Sequence, residues 1–147
     1  MRKKQKISLA DQIMIGSLLV VFAGFLAYFI YMGVAIQRLE SERNQIVSIA
    51  KSKTDLKNID TFNIVTTDKS YYSLLGTTAS GEKIGVLLPK AKGAISVIKL
   101  SDGVGMYSLP QKGATTIDLA LYKGKTVWEV NTKIDFKIYD FKTGKEV

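Results

Sequence analysis

From Gln12 to Gln37 the chain reads QIMIGSLLVVFAGFLAYFIYMGVAIQ, without a single charged residue. As a helix rising 1.5 Å per residue this stretch would be about 39 Å long. Crossing a hydrocarbon core of roughly 30 Å takes about 20 such residues, so the stretch predicts a membrane-spanning helix with length to spare for tilt. Whatever else the chain does, it does it next to a membrane.

The flanks set an orientation. Arg2, Lys3, Lys4 and Lys6 precede the run against Asp11 alone, whereas Arg38 and Arg43 behind it are balanced by Glu40 and Glu42. The excess of basic residues in front predicts a cytoplasmic N-terminus and an extracytoplasmic remainder. A cleaved signal peptide also has a basic start, and Gly33 and Ala35 offer a small-x-small pair, but its apolar core is usually about 7–15 residues. A lipoprotein needs a cysteine, and the chain has none. A pilin-type leader needs a glycine before the mature start and a glutamate soon after it, and SLADQIMIG supplies neither. Within the run, Ala23 and Ala27 form a small-xxx-small pair that would let a partner helix approach, which makes Ala27 a candidate contact. Tyr28 and Tyr31 are expected toward the outer interface.

Composition narrows the function classes. The formal net charge is +8; the tip, four bases and one acid, accounts for three of these, leaving +5 on the remainder. The lysines are spread singly along the sequence, which argues against nucleic-acid binding and leaves weak attraction to anionic wall polymer. No cysteine and no histidine occur. Disulfides, the usual zinc sites, a histidine base and every histidine-containing triad are thereby excluded, and an outer domain must be stable on packing alone.

Apolar residues at Leu39, Ile46, Ile49, Ala50 and Leu56 keep near-helical spacing and predict a stalk helix over 38–58. The period then changes to that of strands. Thr61–Thr67, Tyr71–Thr77 and Lys83–Leu88, separated by Asp68-Lys69 and Ser80-Gly81 and stopped by Pro89, predict a three-stranded antiparallel meander covered by the stalk. Ala94–Leu100 fits a strand or the start of a helix. Ser101–Gly113, SDGVGMYSLPQKG, reads as loop with at most a short helical piece at Met106–Leu109. Strands from Thr116, at Thr126–Thr132 and at Asp135–Phe141, with a hairpin turn at Lys123-Gly124, predict a second three-stranded meander. The expected organisation is α+β: a basic tip (1–11), a transmembrane helix (12–37), the stalk (38–58) and two small units (59–92 and 93–147).

Trp128 is expected in the core, as are Tyr139 and Phe141, with Asp140 turned outward. Adjacent strand residues face opposite ways, so of Tyr71 and Tyr72 one is expected in the core and the other exposed or at the seam between the units. Glu129, Asp135 and Asp140 are the carboxylates nearest one another in the second meander. A glycosidase would hold two carboxylates across a sugar cleft, and no aromatic-lined groove accompanies these three, so they read as the wet side of a sheet. Gly76–Lys83 lacks the spacing and the helix of a phosphate-binding loop. No catalytic, cofactor-binding or metal residue is expected.

Tyr71-Tyr72, the VLLP run of Val86–Pro89, the VWEV run of Val127–Val130 and the terminal YDFKTGKEV of Tyr139–Val147, with the N-terminal anchor, resemble the cell wall elongation regulator TseB-like family of Firmicutes across essentially the whole chain. The outer part of that family is related to PepSY-type, cystatin-like domains. Its members share a lysine- and glutamate-rich helix opening the second unit; here Ser101–Gly113 stands in that place, so the helix is expected to be degenerate. The resemblance implies a non-enzymatic accessory to cell wall synthesis that regulates or positions a penicillin-binding transpeptidase or another membrane cell wall enzyme, with Tyr71, Tyr72, Asp140 and Ala27 as candidate contacts. PepSY-type domains are also associated with restraining peptidases, so an inhibitor or chaperone-like module is the alternative it implies.

Overall fold

A computed structural model describes residues 8–147; Arg2, Lys3, Lys4 and Lys6 of the basic tip lie outside the described residues. Helix α1 runs from Leu9 to Lys53. Its start is a reciprocal cap. The Asp11 amide donates to Ser8 Oγ (3.2 Å), while the Ser8 hydroxyl and amide donate to the Asp11 carboxylate (2.6 and 3.3 Å), satisfying donors that a helix start leaves open. The chain divides into two compact units, 1–44 and 45–147. The first consists of α1 through Asn44, and its apolar residues, Phe22, Phe25 and Phe29 among them, are exposed. Length, composition and exposure are those of a single membrane anchor.

The second unit begins with the last turns of α1 and contains seven strands: β1 Leu56–Thr66, β2 Ser70–Thr78, β3 Lys83–Pro89, β4 Ser96–Lys99, β5 Ala114–Tyr122, β6 Lys125–Thr132 and β7 Phe136–Asp140. They form two antiparallel sheets, ordered β1-β2-β3-β4 and β5-β6-β7. Between β4 and β5 lie two 3-10 turns, Leu100–Asp102 and Met106–Ser108.

The stalk expected over 38–58 stops at Lys53, and residues 56–58 are strand. Thr54 closes the helix, its amide and hydroxyl both donating to the Ala50 carbonyl (2.9 and 2.7 Å). Irregular register between Leu56 and Asn58 and again between Ile59 and Thr61 brings Leu56, Ile59 and Phe62 to one face of the first sheet. An apolar spacing of three residues ordinarily signals a helix; here two strand irregularities within six residues produce it. Gly76 belongs to the same arrangement, since a Cβ there would strike the Asn58 carbonyl.

The first sheet has four strands where three were expected, because Ser96–Lys99 pairs with β3 and so belongs with the first sheet, not with a second unit beginning at residue 93. The second sheet is the expected meander. Lys123 and Gly124 both adopt positive φ (49° and 76°) in its first hairpin, the conformation whose twist matches paired strands.

Three hydrophobic clusters hold the second unit together. On one face of the first sheet Tyr72, Leu74, Ile84, Val86 and Leu88 pack with Ala50 of α1, flanked by Ile46 and Val47. On the other face, Leu75 and Leu87 join Leu119, Trp128, Val130, Tyr139 and Phe141 of the second sheet. A third cluster joins Val65 of β1 to Ala120 and Val127, with Tyr71 against it. Both sheets thus share one interior, with Trp128 (1% exposed) at its centre and its indole Nε1 donating to the Val104 carbonyl at 2.9 Å.

Trp128→Ala is expected to cost about 3–5 kcal/mol of stability, the range for emptying a buried aromatic site. Urea unfolding followed by circular dichroism would show it, with Trp128→Phe losing much less because the ring contact with Phe141 survives.

Candidate functional site

Neighbouring strand residues point to opposite faces, so β2 sends Tyr71 and Tyr72 to different interiors. Tyr72 is buried beneath α1, stacked on Phe62 with ring centroids 5.9 Å apart and with Lys90 Nζ 5.2 Å above its ring. Tyr71 is half-buried where the two sheets meet, touching both clusters that join them. Asp140 lies opposite Val127 in the β6–β7 ladder, and Val127 belongs to one of the clusters Tyr71 touches. Val127 thus links the cluster that Tyr71 touches to Asp140 by one ladder step; Tyr72 is interior, and Ala27 is an exposed residue of the first unit.

The carboxylates do not share one wet face. Asp135 Oδ1 accepts the Phe136 amide at 2.7 Å. Asp140 Oδ1 accepts from the Thr143 amide (2.8 Å), the Thr143 hydroxyl (2.9 Å) and the Lys142 amide (3.0 Å). These bonds, those from Thr143 foremost, hold its carboxyl below the usual range. Glu129 overturns the reading of an outward carboxylate. It is 5% exposed, because the face of the second sheet that carries it is covered by β1. Its partner across the ladder is Asp118, buried as well and bonded to Asn63 Nδ2 at 2.6 Å. Asn131 Nδ2 donates to Glu129 Oε1 at 2.9 Å, while Glu129 Oε2 finds no partner among the described residues.

Burial pushes the Glu129 carboxyl up first, and the Asp118 charge adds to this against the Asn131 bond. Among the described residues, no three His, Cys, Asp or Glu side chains group closely enough to hold a metal ion.

Two open grooves lie beside these residues. One, of about 560 Å³, lies over Leu75, Leu100, Met106 and Trp128 with Asp60 and Lys83 at its sides. The other, of about 670 Å³, runs between β4 and the β6–β7 end of the second sheet and is lined by Val97, Lys99, Lys125, Thr126 and Lys142. Sequence reasoning missed the second because its walls come from segments far apart in the chain. Only the pairing of the strands brings the Lys123-Gly124-Lys125 and Lys142-Thr143-Gly144-Lys145 turns to one end of a sheet, where the Phe141 amide bonds the Thr126 carbonyl at 3.3 Å. The single lysines of the sequence are in this respect gathered by the fold.

Comparison with known proteins gives two findings. Residues 47–89 match the family model of the Cell wall elongation regulator TseB-like domain. That segment includes Tyr71-Tyr72 and Val86–Pro89, whereas Val127–Val130 and Tyr139–Val147 fall outside it. Among solved structures, the YpmB protein from Bacillus subtilis is similar in fold, with 24% sequence identity, a TM-score of 0.57, and coverage of 69% of this chain and 90% of that one. No curated protein matches the chain.

Because the folded state holds the Glu129 proton to a higher pH than the unfolded chain does, this group's stabilising contribution is full below the ordinary carboxyl pKa of 4.5 and is lost as pH rises through the raised folded value. Glu129→Gln is therefore expected to flatten the fall in stability above pH 4.5 and to raise stability at pH 7. Thermal melts across that range would read both effects, and an unchanged pH profile would show that Glu129 does not titrate there.

Proposed function

We propose that the chain is a non-enzymatic, membrane-anchored binding module that regulates or positions a cell wall synthesis enzyme of the penicillin-binding transpeptidase class during elongation. The observation that carries this reading is the match of residues 47–89 to the TseB-like domain, a segment that begins in the last turns of the same helix that carries the apolar run. Its N-terminus is cytoplasmic and its second unit extracytoplasmic, as the basic residues ahead of the run imply. Contact with the enzyme runs through Tyr71 and Asp140 on the second unit, or through the Ala23–Ala27 face of the helix.

A second reading, a restraint or chaperone for an extracytoplasmic peptidase, is favoured by one feature. Strand β4 is an edge of the first sheet, and an extended peptide can be held by adding to such an edge.

Photoreactive residues placed singly at Tyr71, Asp140 and Ala27 in intact cells, with Tyr72 as a buried control, test the proposal by mass spectrometry of what they capture. A penicillin-binding protein captured from Tyr71 or Asp140 is the expected result; capture from Ala27 alone would make the helix the docking element. Capture of a peptidase instead, or of no membrane enzyme from any position, would overturn the wall-enzyme reading.

A further inference from the structure

The groove of about 670 Å³ has an unusual pair of walls. One is β4, whose ladder partners all lie on β3, so its other side is a free strand edge. The opposite wall is the end of the second sheet, Lys125, Thr126 and the Asp140–Lys142 turn. Beyond Asp102 the chain leaving β4 is tied to the residue that follows β7, the Val104 amide donating to the Phe141 carbonyl at 2.8 Å. Gly103 makes that tie possible, since a Cβ there would strike the Phe141 ring and carbonyl.

The charges of this groove are unevenly committed. Lys99 is bridged to Glu82 at 3.0 Å. Asp140 is held by its own turn through three hydrogen bonds. Asp102 is exposed at the β4 side. Lys125 and Lys142 stand exposed on the far wall, Lys125 near enough for its charge to act on Asp140; Lys145 lies exposed in the same turn as Lys142, while Lys123 Nζ lies 5.0 Å above the Tyr122 ring. A four-residue strand is about 13 Å long, enough to pair with a short extended segment, and the facing lysines set the sign of that segment's side chains.

We propose that the free edge of β4 is a strand-pairing site for an extended acidic segment of a partner protein. The segment's backbone bonds along Ser96–Lys99, and its carboxylates face Lys125 and Lys142 across the groove. This rests on the reading of the chain as a binding module and names the surface and the chemistry of what it binds.

The full chain in detergent micelles, titrated against a fluorescent peptide of alternating valine and glutamate, tests it by anisotropy. Saturable binding is expected. Lys125→Glu combined with Lys142→Glu should weaken it at least about tenfold, a charge reversal facing a ligand of like sign. Methylating alternate peptide amides should abolish binding, because strand addition needs those donors. Failure of the peptide to bind, or indifference to the double substitution, would overturn the site. If the methylated peptide and polyphosphate bound as well as the parent and all weakened alike with salt, the groove would be a polyanion surface and the strand-pairing proposal wrong. Peptide binding alongside in-cell crosslinking that captures no wall enzyme would retire the wall-enzyme reading while leaving the groove intact; the reverse pattern would do the opposite.

Discussion

Strand β5 is buried on both of its faces, and the second unit depends on that. Leu119 reaches Trp128 and Leu87 on one side, while Ala120 and Asp118 reach β1 on the other. Each sheet of so small a unit has too little apolar surface to be stable alone, and no disulfide helps, since the chain has no cysteine. Sharing a strand's worth of interior lets four strands and three strands act as one core. Close approach follows as a requirement: Gly85 lies where a Cβ would collide with Leu119, so the sheets meet through the absence of a side chain as much as through the presence of several.

Much of this was legible from residue order. Turns written as Asp68-Lys69, Ser80-Gly81 and Lys123-Gly124 fall between strands as read, and Trp128, Tyr139 and Phe141 are buried as their alternation implied. The misreadings share one physical origin, which is that periodicity reports on one element at a time. Leu56 falls in step with the helix before it although that helix ends at Lys53, and the strand irregularities that follow continue an apolar spacing of three through Ile59 and Phe62. Glu129 reads as solvated because nothing within β6 announces that β1 will lie over it. Ala94–Leu100 fits strand and helix alike, and the membership of Ser96–Lys99 in the first sheet is decided by β3, not by its own four residues. The lysine-rich groove was invisible for the same reason, being assembled from three distant segments. Of the candidate contacts, the division of labour between Tyr71 and Tyr72 was readable from adjacency alone, whereas which of the two went inward needed α1 in place.

The segment similar to the TseB-like domain, residues 47–89, coincides with the helix end and three strands that enclose the cluster around Leu74 and Val86. That part of the chain is a packing solution, a helix turn laid over a sheet, with its buried residues concentrated in the middle of β2 and β3. The second sheet contributes a different kind of surface, with turn lysines and a half-exposed Asp140 on its end.

The Asn63–Asp118 bond has a further consequence for how the chain finds this arrangement. With apolar side chains on both of its faces, β5 could slide by one residue against its neighbours and still bury hydrocarbon, so burial alone discriminates poorly between alignments. Sliding by one would set Leu119 beside the Asn63 amide and drive the Asp118 carboxylate in among Leu75, Leu87 and Trp128, leaving a donor and a charge without partners. A single buried polar contact thereby makes the wrong alignment far costlier than the right one, trading some stability for fidelity of assembly.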